Sequence, residues 1–299
     1  MAEENYSKRA KEAYAQGEKK LKPGLFGKVF SNKEDRLEEA SELFKQAANF
    51  YRLAKDCKPY LVSNSASAFV RCAECRPEEA ANYYSEAGNV LRKVNTAEAI
   101  TYYNRAVEIM VSNGRISMAA RLRKQIAEIY EADEMLGLAV ENYKHAAELY
   151  EMDNGDSTAN GCLLKVAELS TSESLDSDTI IKAIKIFEEV GERYLMHSLT
   201  RFSAKDCFFK SGLLYLANDD LVGAENSCGK YCMKDPSFDS SREHKLIKDL
   251  VATIRGNDVP TFESTLFSFN KITPIDRWKT KVLLKAKSFI NKEVEEDFS

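Results

Sequence analysis

A short helical motif recurs along the chain and restricts what the chain can fold into. A small residue, an aromatic residue four positions later and a second small residue three positions further share one helix face. The copies are Ala40-Phe44-Ala47, Ala80-Tyr84-Ala87, Ala99-Tyr103-Ala106, Ala139-Tyr143-Ala146 and, less regular, Ala183-Phe187-Val190. Because Ala40 and Ala80, like Ala99 and Ala139, lie 40 residues apart, the motif predicts stacked helical hairpins of the tetratricopeptide or HEAT kind.

Proline placement indicates that the fold is all-α. Proline inside a helix costs about 3 kcal/mol, so prolines confined to boundaries imply helices between them. The boundary prolines are Pro23, Pro59, Pro77, Pro236, Pro260 and Pro274. Strand-type alternation is absent. We therefore predict a right-handed stack of tetratricopeptide (TPR)-like helical hairpins, with partner helices such as Met118 to Tyr130 and Cys162 to Leu169 between the motif copies.

The motif fades after about Asp235, which suggests a change of domain. Apolar residues become dense around Phe262, Leu266, Phe267, Phe269 and Trp278. We predict a TPR-like repeat sheet over 1–235 with an apolar loop at 23–30, and a compact helical bundle over 236–290 that caps the stack. The last helix is expected from Arg277 to Ile290, followed by an acidic tail at 291–299.

Composition excludes several classes of function. The net charge of −4 argues against a nucleic-acid-binding protein, which needs an excess of cations. No stretch approaches the roughly 18 apolar residues of a membrane span, and the start lacks a signal peptide. We expect a cytoplasmic protein whose seven cysteines are reduced thiols.

Signs of catalysis are lacking, so we predict no enzyme, no metal and no cofactor. There is no phosphate loop, nucleophile elbow or zinc-protease motif. Cys72 and Cys75 form a C-x-x-C pair, but the sequence has no second pair to complete a zinc site. Cys228 and Cys232 share a helix face, and we predict that both are small apolar core residues. The three histidines, His145, His197 and His244, have no recognisable partner motif.

Both termini carry unusual segments. Residues 23–30 place Leu25, Phe26, Val29 and Phe30 in a glycine-containing loop flanked by Lys19, Lys20, Lys22 and Lys28. Such a loop favours either contact with a membrane surface or simple packing of Phe26 and Phe30 onto the first repeat. Residues 293–299 combine four carboxylates with Phe298, which indicates either a solvated tail or an acidic peptide for a basic partner.

Several sequence segments resemble the soluble NSF attachment protein family, in particular its alpha (Sec17-like) type. They run in order along the chain: Gly24 to Gly27, Gly114-Arg115, Met118 to Arg121, Ile126 to Tyr130, Cys162 to Ala167, Ser203 to Asp206, Phe208 to Lys210, Asp239 to Glu243 and Asp276 to Trp278. The resemblance implies a non-catalytic adaptor. Such adaptors are monomers in solution, and several copies bind one SNARE four-helix complex, recruit the hexameric AAA+ ATPase NSF and stimulate SNARE disassembly in vesicle fusion.

The resemblance also assigns roles to individual residues. It implies SNARE binding by Arg115, Arg121, Lys165 and Lys205, and more weakly by Arg92 and Lys93. It implies ATPase binding by Glu295, Glu296, Asp297 and Phe298, and peripheral membrane contact by Leu25, Phe26, Val29 and Phe30. Two positions depart from the family: Gly161 replaces a common basic residue, and Phe298 replaces a leucine. A TPR co-chaperone that captures C-terminal peptides, or a scaffold subunit, remains as the alternative function.

Overall fold

The computed structural model describes residues 2–22, 32–54 and 59–290, and all regular structure in them is helical. The chain forms two compact units, one of Met1–Ile129 with Glu148–Gly155 and the other of Tyr130–Ala147 with Asp156–Ser299. Fifteen α-helices lie in the described part. They are α1 Ala2–Leu21, α2 Lys33–Leu53, α3 Pro59–Cys75, α4 Ala80–Leu91, α5 Thr96–Ser112, α6 Ile116–Ala132, α7 Leu136–Met152, α8 Asp156–Glu173, α9 Ser177–Leu195, α10 Arg201–Ala217, α11 Leu221–Lys234, α12 Pro236–Asp239, α13 Arg242–Arg255, α14 Val259–Asn270 and α15 Arg277–Lys287. The all-α prediction is confirmed, and helices pack as successive pairs within each unit.

The helices repeat with a regular length, which explains the 40-residue period of the sequence motif. Helices α5, α6, α7 and α8 begin at Thr96, Ile116, Leu136 and Asp156, so each helix with its turn takes 20 residues. Two helices therefore make one hairpin of 40 residues. The predicted partner helices correspond to α6 and α8, each of which extends beyond the predicted segment.

Five helices, α5, α6, α7, α10 and α13, end in the same type of turn. The backbone N–H of Arg115, Met135, Gly155, Asp220 or Asp258 donates to the carbonyl five residues earlier, at 2.8–3.0 Å. The residue just before each of these donors has a positive φ: Gly114, Glu134, Asn154, Asp219 and Asn257. This six-to-one bond around a left-handed residue is the Schellman ending of a helix. Five helices therefore end with the same local backbone geometry.

Polar side chains define where many helices begin. Asn95 accepts a hydrogen bond from the backbone N–H of Glu98 at 3.2 Å and donates to the Glu98 carboxylate at 2.9 Å, which is a reciprocal capping arrangement. At five further N-caps, a side-chain carboxylate or hydroxyl oxygen accepts a hydrogen bond from the backbone N–H three residues later. These N-caps are Asp176, Asp220, Ser241, Asp258 and Asp276. These caps satisfy backbone donors that have no partner inside the helix.

The repeated motif lies in the helix cores, with one exception. Phe44, Tyr103, Tyr143 and Phe187 are buried together with the small residues on either side of each. In α4 the buried ring is instead Tyr83, whereas Tyr84 is only partly buried and stacks on Tyr102 with 6.1 Å between ring centroids. Tyr84 is thus the one aromatic residue of the motif that is not buried, although Ala80 and Ala87 beside it are.

The second unit has an aromatic core that involves its last helices. The Phe208 ring stacks on Tyr231 at 4.5 Å and meets Phe238 edge-on at 6.0 Å. The indole N–H of Trp278 donates to the Thr171 hydroxyl at 2.9 Å, which ties α15 to α8. Of the predicted C-terminal apolar residues, Phe262 and Phe269 are buried, but Phe267 is 63% exposed.

Helix boundaries agree with the proline argument. Pro59 and Pro236 begin helices, Pro77 begins a 3₁₀ turn, Pro260 lies in the first turn of α14, and Pro274 lies in a loop. Pro23 lies outside the described residues. The last helix ends at Lys287 rather than Ile290, since the chain continues from Ser288 as a turn. Among the described helices, none has the length and apolar character to cross a bilayer.

Candidate functional site

Four of the candidate cations lie in the first unit. Arg92 and Lys93 follow the C-terminal end of α4, and Arg115 precedes α6, which carries Arg121. Arg92, Lys93 and Arg121 are exposed. No carboxylate in the described part of the chain lies within ion-pair distance of these three side chains. Their charges are therefore available to an acidic partner.

The turn before α6 positions Arg115. Gly114 has a φ of 71°, which a residue without a side chain adopts at little cost. The Arg115 guanidinium then donates to the amide oxygen of Asn82 on α4 at 3.2 Å. This hydrogen bond to a neutral group restrains the guanidinium without neutralising its charge.

Lys165 on α8 is paired with a carboxylate of its own unit. Its ammonium group lies 2.6 Å from Glu131, and the Tyr143 hydroxyl donates to the other Glu131 oxygen at 2.7 Å. Burial alone would raise the pKa of Glu131, but the hydrogen bonds from Lys165 and Tyr143 outweigh burial and lower it. Glu131 therefore stays ionised, and an acidic partner has to compete with it for Lys165.

Gly161 lies one turn before Lys165 on α8. It is exposed, and a Cβ built there would meet no atom within 4 Å. The backbone would therefore accept a long basic side chain without rearrangement. Packing therefore does not require glycine at this position.

Lys205 on α10 borders a cleft that the sequence did not predict. The cleft has a volume of about 860 Å³, and Arg201 and Arg242 also line it. Lys205 lies 3.4 Å from Glu243, which brings together two of the motif segments noted in the sequence, Ser203 to Asp206 and Asp239 to Glu243. Arg201 and Arg242 were missed because they are distant from each other along the chain, and only packing of the second unit brings them to one cleft.

Comparison with known proteins assigns the family. Residues 8–291 match the sequence profile described as "Soluble NSF attachment protein, SNAP". The chain belongs to the SNAP family. An alpha-soluble NSF attachment protein of Vitis vinifera is 32% identical over 97% of each chain. A beta-soluble NSF attachment protein of Bos taurus is 32% identical over 95% of this chain and 94% of its own. A probable vesicular-fusion protein sec17 homolog of Schizosaccharomyces pombe is 34% identical over 89% and 90%.

Structural similarity adds nothing to this assignment. The crystal structure of BtubC (BKLC) from P. vanneervenii covers 81% of this chain and 94% of its own, with 17% identity and a TM-score of 0.41. We draw no functional inference from similarity of that degree. Membership of the SNAP family itself makes the chain a non-catalytic protein, in agreement with the sequence prediction.

The predicted terminal sites of this SNAP family member lie outside the described residues. They are Leu25, Phe26, Val29 and Phe30 near the start, and Glu295, Glu296, Asp297 and Phe298 at the end. Of the lysines that flank the apolar loop, Lys19 and Lys22 are exposed, and Lys20 forms an ion pair with Glu39. The roles of these segments remain predictions.

The cysteines and histidines differ in their surroundings. Cys72 and Cys75 are buried, and the Cys72 thiol donates to the Ser41 carbonyl at 3.4 Å. Burial raises the pKa of Cys72 to about 12, so this thiol is a neutral packing residue. His145 is exposed. His244, which the sequence left without a partner, lies beside Cys232, and Cys232 is only partly buried, unlike the core residue that was predicted.

Proposed function

We propose that this SNAP family member binds assembled SNARE complexes and recruits and stimulates the hexameric ATPase NSF, which then disassembles them. The observation that carries the proposal is the family match over residues 8–291, together with relatives named as NSF attachment and vesicular-fusion proteins along nearly their whole length. The protein acts as a monomeric adaptor on the cytoplasmic face of membranes, and several copies bind each SNARE complex.

In this proposal, cations that are exposed or partly exposed bind the acidic surface of the SNARE bundle. Arg92, Lys93, Arg115 and Arg121 supply the contacts of the first unit, and Lys165 and Lys205 supply those of the second. Exposed basic side chains support this role because attraction to an acidic surface needs a local excess of cations and not a positive protein. Arg201 and Arg242, which share the cleft of Lys205, extend the same set.

The two terminal segments provide the remaining contacts of the proposed mechanism. Glu295, Glu296 and Asp297 pair with basic residues of the ATPase, and Phe298 supplies an apolar anchor. Leu25, Phe26, Val29 and Phe30 contact the membrane surface, where the exposed Lys19 and Lys22 favour anionic headgroups. Membrane contact would concentrate the adaptor near its substrate.

ATP-dependent disassembly of a preformed SNARE complex by NSF tests the whole proposal. We expect disassembly to require this protein and to fail with a variant that lacks residues 293–299, although that variant still binds the SNARE complex. A variant that lacks residues 24–30 should lose activity on liposome-anchored complexes and keep it on soluble ones. If the intact protein neither binds the SNARE complex nor supports disassembly, the co-chaperone or scaffold function becomes the better explanation.

Restoring a basic residue at position 161 tests the SNARE-binding surface by a gain of function. We expect Gly161→Lys to tighten SNARE binding by up to about fivefold at low salt, since an exposed ion pair contributes about 0.2–1 kcal/mol. The gain should shrink as salt screens the charges. The measurement is the Kd for a soluble SNARE complex at two salt concentrations.

Gly161→Gln is the matched control, because it adds a long side chain without a charge. Both variants fit the open space at this position. Equal affinities for the lysine and glutamine variants would show that this part of α8 does not face the acidic surface, and would remove Lys165 from the proposed contact set.

A further inference from the structure

Three potential metal ligands meet where α11, α12 and α13 join in the second unit. Cys232 lies in the last turn of α11, Asp239 ends α12, and His244 lies in the first turn of α13. The Cys232 sulfur is 3.8 Å from either ring nitrogen of His244, and an Asp239 carboxylate oxygen is 3.5 Å from Nδ1 of the ring. One ligand atom of each residue can be chosen so that all three lie within 4.8 Å of one another.

A backbone hydrogen bond prepares the imidazole of His244 to bind a metal. The Asp239 carbonyl accepts a hydrogen bond from Nδ1–H at 3.0 Å, and in the neutral ring this leaves the lone pair of Nε2 for a metal. Metal-binding histidines almost always donate their second ring N–H to a carbonyl or carboxylate in this way. The ring also packs against the buried Phe238, with 5.4 Å between ring centroids, so its orientation is restricted.

The surroundings of the Cys232 thiol disfavour its thiolate form. Partial burial and the neighbouring Asp239 carboxylate raise the pKa of Cys232 to about 11, and the opposing effect of Lys248 is smaller. A divalent cation bound between the thiol and the carboxylate would favour the deprotonated form of both groups.

We propose that Cys232, Asp239 and His244 bind a Zn²⁺ ion, with water as the fourth ligand. Thiolate, imidazole and carboxylate are ligands of zinc, whereas calcium and magnesium take oxygen ligands. Tetrahedral zinc with bonds of about 2.0–2.3 Å separates its ligand atoms by about 3.4–3.6 Å. The 3.8 Å between the Cys232 sulfur and Nε2 is close to this separation, whereas the Asp239 carboxylate faces Nδ1 and has to turn toward Nε2, which its exposure permits. On binding, the Cys232 thiol releases its proton to solvent and the thiolate bonds to the metal.

Bound zinc would join the end of α11 to the start of α13 directly. The three ligands lie within 13 residues of sequence, but their spacing matches no familiar zinc motif. Water in the fourth position would leave the ion exchangeable, in contrast to a closed structural site with four protein ligands. Asp239 is exposed, which opens the site to solvent.

Cobalt titration of the reduced, metal-free full chain tests the proposal. We expect one Co²⁺ per chain to give a thiolate-to-cobalt charge-transfer absorption with the visible bands of tetrahedral Co²⁺, and one equivalent of Zn²⁺ to displace it. Cys232→Ser should abolish the charge-transfer band. Cys232→Ser should also weaken zinc binding by about 100-fold or more, since outer-sphere changes alone cost about 10- to 100-fold.

Two further variants keep the test decisive. Cys228→Ala changes a buried thiol one turn earlier on the same helix and should leave the cobalt spectrum unchanged. Asp239→Ala removes an exposed side chain, so it should weaken zinc binding without unfolding the chain even if Cys232→Ser perturbs folding. The proposal is overturned if the charge-transfer band is absent from the wild type, or if it persists in Cys232→Ser or moves with Cys228→Ala.

Discussion

At the residue scale, single residues in the left-handed conformation end five of the helices. Each of the five turns contains one residue with a left-handed backbone conformation. In one turn this residue is Gly114, which has no side chain; in the other four it is Glu134, Asn154, Asp219 or Asn257. A left-handed conformation costs a residue with a Cβ about 1–2 kcal/mol, and asparagine and aspartate tolerate it best. Glu134 is therefore the least suited of the five.

Exchanging these residues should change stability in opposite directions. Gly114→Ala should lower the free energy of unfolding by about 1 kcal/mol through backbone strain alone, because no atom lies within 4 Å of the added Cβ. Glu134→Gly should raise it by a few tenths to about 1 kcal/mol, since relief of strain exceeds the extra entropy of glycine in the unfolded chain. Urea denaturation measures both, and a loss of stability in Glu134→Gly would contradict the strain argument.

At the scale of helices, glycine allows a neighbouring helix to approach closely where an aromatic ring packs against it. A Cβ at Gly88 on α4 would lie 2.5 Å from a ring carbon of Tyr103 on α5. The Tyr103 ring is fully buried, and its hydroxyl donates to Asn89 and accepts from Gln125, both at 2.9 Å. The ring therefore has no free direction in which to move.

The two helical glycines Gly88 and Gly161 should respond differently to alanine. Gly88→Ala should destabilise the protein by about 1–2 kcal/mol, because overpacking of about 1–3 kcal/mol outweighs the helix propensity gained. Gly161→Ala should stabilise it by up to about 1 kcal/mol, because it gains propensity with nothing to displace. Thermal unfolding of both variants measures the difference, and similar melting temperatures would show that α4 and α5 are more widely spaced than described.

For the molecule as a whole, buried ionisable groups link folding to pH. Tyr231 and Tyr215 both donate to the Glu188 carboxylate, and Tyr231 also contacts the Ser211 hydroxyl at 2.9 Å. Burial first, and then the Glu188 charge, raise the pKa of Tyr215 to about 12 and raise the pKa of Tyr231 as well. The folded protein therefore retains protons that the unfolded chain releases near pH 10.

Stability should consequently fall at alkaline pH. The contribution of a raised pKa is complete below the unfolded value of about 10 and is lost as the pH rises through the folded value. The free energy of unfolding should decrease above pH 10 by up to about 1.4 kcal/mol per pH unit for each such tyrosine. Urea denaturation between pH 8 and 12 measures this slope.

A pair of hydroxyl deletions identifies the groups responsible. Tyr215→Phe should reduce the alkaline slope, and Tyr60→Phe, which alters an exposed side chain, should leave it unchanged. In Tyr215→Phe the Glu188 carboxylate still accepts a hydrogen bond from the Tyr231 hydroxyl, so this variant should still fold. Equal slopes in both variants would assign the alkaline loss of stability to other groups.

The sequence alone determined the helical class, the 40-residue hairpin and most of the buried motif. Each depends on local rules, since proline ends helices and spacings of three and four residues place side chains on one face. The order of short segments, from Gly114-Arg115 to Asp276 to Trp278, was also sufficient to indicate the family, which the profile match over 8–291 confirms.

Only the tertiary structure decided which face of a helix is covered and which distant side chains meet. Tyr83 rather than Tyr84 is buried, and Phe267 is exposed, because neighbouring helices and not the spacing itself select the covered face. The contacts Lys165–Glu131 and Trp278–Thr171 join positions 34 and 107 residues apart. No local pattern encodes such pairs, since helix packing alone fixes the distance between their backbones.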